Sequence, residues 1–167
     1  AVGAWAAQSR GLEEGGGETV RVAGAEEGDE RALPLVKARV RVPSVADIHF
    51  SPRLAVMAVE GGADKLRINP GNIGGEKEIA LVADCVKVHH IPVRVGANTG
   101  SIEPHFLKEY GRSARALVES ALYNVNILEK HGVEDIVISV KASDVPLTAQ
   151  PYQLLASGPR HPPPVGL

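Results

Sequence analysis

Arg67 interrupts the apolar run from Leu66 to Ile68, and this one residue narrows the range of folds sharply. A guanidinium inside a buried strand is costly unless something pairs with it. The arrangement recurs. IPVRVGAN (91–98) carries Arg94, TVRVA (19–23) carries Arg21, and DIVISVKAS (135–143) carries Lys141. With PSVADIHF (43–50) and DKLRIN (64–69) they form a series of apolar, β-branched segments. Helix-like stretches separate them: GDERALPLVKARV (28–40), SPRLAVMAVEGG (51–62), GEKEIALVADCVKVHH (75–90) and SARALVESALYNVNILEKHG (113–132). The last opens on Ser113 as an N-cap and closes at Gly132, a suitable C′ residue. Pro52 falls in a first turn, where proline is tolerated.

Strand and helix alternating at this spacing predict right-handed βαβ units and a parallel sheet. GNIGG follows a strand but lacks the Gly-x-Gly-x-x-Gly order of a dinucleotide site, and no Walker pattern occurs. The expected fold is therefore α/β, a partial (β/α)₈ TIM barrel. A whole barrel needs about 250 residues. The 167 residues supply about five to six βα units on that basis. We divide the chain into a poorly patterned segment at 1–18, the partial barrel at 19–156 and a proline-rich tail at 157–167. Pro162, Pro163 and Pro164 exclude a helix or an internal strand in that tail. The single methionine is Met57, so the sequence reads as a fragment.

Side chains two apart on a strand share a face. Arg67 then lies with Asn69; Arg94 with Gly96 and Asn98; Asp47 with His49; Lys141 with Ser143. Each set stands at or near the C-terminal end of its apolar run, which in a barrel is the catalytic face. Arg21 fits the same scheme. Planar, bidentate arginines suit phosphate oxygens and lysine adds a point charge, so these cations predict a polyanionic ligand such as a diphosphate. Gly71, Gly74 and Gly96 would let backbone approach it closely. An inward arginine can instead be answered by a carboxylate. Asp47 serves one such partner, not four.

Other residues carry less. His89 and His90 sit at a helix end, without a third ligand at metal-binding spacing. His105 and His131 read as surface residues, and Cys85 as core or half-buried with no activating base in view. Glu26, Glu27, Asp29 and Glu30 read as a solvated loop and helix start. Lys plus Arg number 18 against 20 acids, a net charge of −2, which argues against a general nucleic-acid binder. No apolar run reaches the length of a membrane span and no signal peptide is visible. One cysteine fits a reducing compartment, hence the cytoplasm, or the plastid stroma for a plant or algal source.

VADIHF, LRINPGNIG, RVGANTGS and SVKASD, in this order, closely resemble the 4-hydroxy-3-methylbut-2-enyl diphosphate synthase family, strongest from Leu33 to Ala156. That resemblance implies a TIM barrel binding 2-C-methyl-D-erythritol 2,4-cyclodiphosphate on the methylerythritol phosphate route to isoprenoids. It also implies an oxidoreductase with a 4Fe–4S cluster, fed by flavodoxin or ferredoxin, in a homodimer. By motif position the diphosphate would fall to Arg21, Arg67, Arg94, Asn98 and Lys141, with Asp47, His49 and Asn69 lining the pocket. No proton-transfer role follows for any of them. The family's cluster domain, its first strand and its Thr-Glu-Ala-Gly strand are not expected here, so the cluster's ligands are absent and the isolated chain is expected to be inactive. The alternative is a non-catalytic truncated barrel or gene remnant that at most binds polyanions.

Overall fold

The computed structural model describes residues 2–24, 32–142 and 145–156. Ser143, the acidic cluster Glu26, Glu27, Asp29 and Glu30, and the proline-rich tail at 157–167 lie outside the described residues. The chain runs α1 (Val2–Glu14), β1 (Val20–Gly24), α2 (Ala32–Lys37), β2 (Ser44–Ile48), α3 (Pro52–Glu60), β3 (Lys65–Ile68), α4 (Pro70–Ile73) and α5 (Glu76–Val88). It continues through β4 (Val93–Asn98), α6 (Pro104–Tyr110), α7 (Ala114–Lys130), β5 (Ile136–Lys141) and α8 (Val145–Ala156). Each apolar segment forms its strand and each amphipathic stretch its helix.

Helix starts follow local chemistry. The Ser51 hydroxyl accepts from the Leu54 N–H at 3.3 Å and the Ser113 hydroxyl from Ala116 at 3.1 Å, satisfying donors that the first helical turn leaves free. Pro52 occupies the first turn of α3. Helix α5 ends with His90 at φ 53°, a left-handed residue past the cap at His89.

The strands form one parallel sheet in the order β1-β2-β3-β4-β5. Sequential order without reversal is an arc of a barrel; a doubly wound sheet reverses direction at a switch point. The register sorts the side chains. Ala46, Leu66, Val93 and Ile136 align in one row, and Ile48, Ile68, Val95 and Ile138 in the next row of that face. These apolar residues join Ala55, Val59, Ile79, Val82, Leu117 and Leu128 of α3, α5 and α7 in a single buried core. The intervening row, Asp47, Arg67 and Arg94, faces the other way.

Four helices, α1, α4, α6 and α8, lie outside the stretches that the sequence pattern marks as helical. The stretch at 1–18 contains helix α1, whose Ala6 packs with Val36 and Val40 in a small second cluster. Helix α6, between β4 and α7, is short and has no buried residue. No helix among the described residues is long and apolar enough to cross a membrane.

Candidate functional site

Register carries the polar residues onto one face. Ala23 pairs with Asp47, Asp47 with Arg67, and Arg67 with Arg94, while Gly96 pairs with Ser139 and Asn98 with Lys141. Arg21 stands two residues before Ala23 and so shares that face. The heights differ from the strand-end expectation. Arg21 and Arg94 occupy the second position of their strands, because parallel pairing sets Arg94 level with Arg67. Asn98 and Lys141 lie four residues further along, a rise of about 13 Å.

Asp47 is the hub. It is 4% exposed, and its Oδ1 accepts from an Arg67 Nη at 2.7 Å. Its Oδ2 lies 3.4 Å from Nε of the mostly exposed Arg21. One carboxylate therefore answers two guanidiniums, one more than the sequence reading allowed it. His49 closes the cluster: its Nε2 is 3.2 Å from Asp47 Oδ1 and 3.1 Å from the Arg67 Nη. That nitrogen either donates to the carboxylate or accepts from the guanidinium, according to tautomer.

Arg67 also donates to the Gly96 carbonyl at 3.4 Å. The absence of a side chain at Gly96 is what admits it, since a Cβ there would sit 2.5 Å from Arg67 Nε. Gly96 thus makes room for a cation of the site itself. Gly71 likewise serves the protein's own packing: a Cβ on it would lie 1.4 Å from the Ser101 carbonyl oxygen, so α4 closes onto the β4–α6 loop only with glycine there.

Arg94 is answered differently. Its Nε donates to the Ser139 hydroxyl at 2.9 Å, and among the described residues no carboxylate pairs with it. Lys141 is exposed, its carbonyl accepting from the Thr99 N–H at 3.2 Å. Asn69, 1% exposed, takes the Ser101 hydroxyl on its Oδ1 at 2.8 Å, and Asn98 Oδ1 lies 3.1 Å from the same hydroxyl. Glu103 anchors this loop to α7 by accepting from Asn124 Nδ2 at 2.7 Å.

The sequence reading did not single out Ser139 and Ser101. Ser139 is two residues before Lys141 on the same strand, so face parity alone would have found it. Ser101 sits in a loop, where parity stops. Of the predicted residues, Arg21, Asp47, His49 and Arg67 form one contact cluster. Arg94 joins it through register, and Asn69 with Asn98 form a second cluster. Together they make a cation-rich face with one central anion, an arrangement that can take further negative charge.

Elsewhere, His89 Nδ1 donates to the Cys85 carbonyl at 2.9 Å and so is not a base for the thiol. Burial, and then the charge of Glu60, push the Cys85 thiol up, which keeps it protonated. His131 is half-buried 3.3 Å from Asp84 Oδ1. No group of three His, Cys, Asp or Glu among the described residues could hold a metal ion. The sequence's one cysteine does not fit a cluster held by several thiolates.

The profile of the GcpE TIM-barrel domain matches residues 1–167. A protein of Exiguobacterium sibiricum named 4-hydroxy-3-methylbut-2-en-1-yl diphosphate synthase (flavodoxin) is 48% identical over 157 residues, which is 93% of this chain and 42% of that protein. Proteins of the same name from Geobacillus thermodenitrificans and Caldanaerobacter subterraneus are 47% and 48% identical, over 93% and 90% of this chain and 42% of each protein. The chain thus spans less than half the length of these curated relatives. The crystal structure of Yersinia pestis dihydropteroate synthase superposes with a TM-score of 0.58 at 13% identity, covering 90% of this chain and 57% of that one, a likeness of fold alone.

Proposed function

The chain belongs to the GcpE TIM-barrel domain family, and from that premise we propose that it is the substrate-binding part of a 4-hydroxy-3-methylbut-2-en-1-yl diphosphate synthase. Its barrel unit at 19–156 takes the diphosphate of 2-C-methyl-D-erythritol 2,4-cyclodiphosphate on the face bearing Arg21, Arg67, Arg94 and Lys141. Reductive opening of the ring then belongs to the whole enzyme, which uses a 4Fe–4S cluster whose ligands are outside this chain. The relatives' names carry flavodoxin, which supports flavodoxin as the electron donor. Assembly as a homodimer and a cytoplasmic location complete the reading.

One observation carries it: among the described residues Asp47 is the only carboxylate paired with these cations, shared by Arg21 and Arg67, while Arg94 has a hydroxyl as its described partner. A cyclic diphosphate supplies the missing negative charge in a form that matches guanidinium forks. Asn69, Asn98 and Ser143 add hydrogen-bonding groups, and His49 stands beside Asp47. Calorimetric titration of the full-length protein with the cyclodiphosphate tests this. Arg94→Ala is expected to weaken binding by about tenfold or more, the scale of a charge-assisted hydrogen bond. Equal affinity in both proteins removes Arg94 from the pocket.

A second reading, a non-catalytic barrel piece that only binds polyanions, draws on the sheet's edges: among the described residues β1 and β5 each pair on one side only. Inorganic diphosphate separates the two. The synthase reading expects the cyclodiphosphate to bind more tightly than inorganic diphosphate, and the polyanion reading expects no preference.

A further inference from the structure

Ser101 touches both asparagines of the polar face and belongs to neither strand. Its hydroxyl has one proton, and the shorter contact, 2.8 Å, goes to Asn69 Oδ1. Asn98 Oδ1, 3.1 Å from that hydroxyl, also accepts from the Gly100 N–H at 3.1 Å. A backbone N–H can only donate, so the Asn98 amide is fixed with its oxygen toward the loop. The hydroxyl proton, directed to Asn69 Oδ1 at 2.8 Å, holds that amide in the same sense. In a planar carboxamide the nitrogen then points away from Ser101. Among the described residues neither amide nitrogen has a hydrogen-bond partner.

Ser101 itself is held firmly. It is 8% exposed, its N–H donates to the Asn98 carbonyl at 3.1 Å, and its carbonyl lies against Gly71 so closely that no side chain fits there. The hydroxyl therefore works from a fixed platform that the two asparagines share.

We propose that Ser101 is a positioning residue for ligand binding: through Asn69 Oδ1 it turns that carboxamide's N–H groups toward the acceptor oxygens of the bound ligand, beside the Asn98 amide that the Gly100 N–H orients. The proposal rests on the diphosphate reading above and deepens it. Without the hydroxyl, Asn69 Oδ1 is a buried acceptor with no donor among the described residues. Rotating the amide by half a turn relieves that, and presents an oxygen where the ligand needs a donor. The loss is then one of orientation, and it disappears if Asn69 is already gone.

The test is a double-mutant cycle in the full-length protein, read by calorimetric titration with the cyclodiphosphate, with thermal melts alongside. Ser101→Ala is expected to weaken binding about tenfold, the scale of one hydrogen bond lost and one donor misplaced. Ser101→Thr, which keeps the hydroxyl, binds as wild type. In an Asn69→Ala background Ser101→Ala has little further effect, because the two act as one unit. Equal losses in both backgrounds overturn the proposal, as does a folded Ser101→Ala protein with unchanged affinity. Should Ser101→Ala fail to fold, Ser101→Cys carries the same comparison: it keeps the size and weakens the donor, and wild-type affinity there overturns the proposal. A wild-type protein that does not bind the cyclodiphosphate overturns the pocket reading first, and this proposal with it.

Discussion

At Gly96 the lack of one methyl group decides where a guanidinium can lie. Arg67 reaches across β4 because nothing occupies the Cβ position, and Asp47 then holds it. Gly96→Ala forces that side chain aside, and the expected cost is about 1–3 kcal/mol of overpacking. A shift in the denaturation midpoint of the full-length protein measures it, and weakened cyclodiphosphate binding should accompany it. An unchanged midpoint would mean that Arg67 has somewhere else to go. Much of this face was legible in the sequence because period-two parity is a rigid rule: Asp47, Arg67 and Arg94 sit on one side because the chain is pleated. Their partners were less legible. The sharing of Asp47 by Arg21 and Arg67 depends on pairing distance, and the hold of Ser101 on Asn69 on a loop folding back.

Among the elements, the strands were readable since β-branched residues alternate with polar ones, while α1 was not. Its buried side includes Ala6 and Ser9, residues too small to leave a hydrophobic period, and it contains Gly3 and Gly11. Helix α6 escaped for a similar reason, having no buried residue. Asp64 shows how elements are tied. Just ahead of β3, it accepts from Lys37 at the end of α2 and, at 2.7 Å and 3.0 Å, from the Ser44 N–H and hydroxyl at the start of β2. Partial burial would raise its pKa, but these hydrogen bonds, with the charge of Lys37, bring it below that of an ordinary aspartate. The folded state thus releases this proton more readily than the unfolded state. Its stabilising effect is complete above the unfolded carboxyl's pKa of about 3.9 and fades as pH falls through the lower folded value. Asp64→Asn should melt below wild type at neutral pH, with the difference closing in acid. Parallel melting curves from neutral pH down to about pH 2, below the usual carboxyl range, would reject the tie.

For the molecule as a whole, the exposed edges matter most. A strand edge with free N–H and C=O groups is a template for pairing, and among the described residues β1 and β5 each pair with a strand on one side only, the Val140 N–H of β5 being taken by the Tyr152 hydroxyl at 3.3 Å. The 167-residue chain purified alone is expected to associate as concentration rises, followed by sedimentation velocity. A monomer that melts cooperatively at every concentration would contradict that. Sheet order has another consequence. Every strand pairs with the next one in sequence, and the Asp47–Arg67 contact joins neighbours β2 and β3. Few long loops must close before contacts form. A nascent chain that has emerged only as far as β3 already contains the carboxylate and both guanidiniums it serves, so the Asp47 ion-pair cluster can assemble on the ribosome before β4 has emerged.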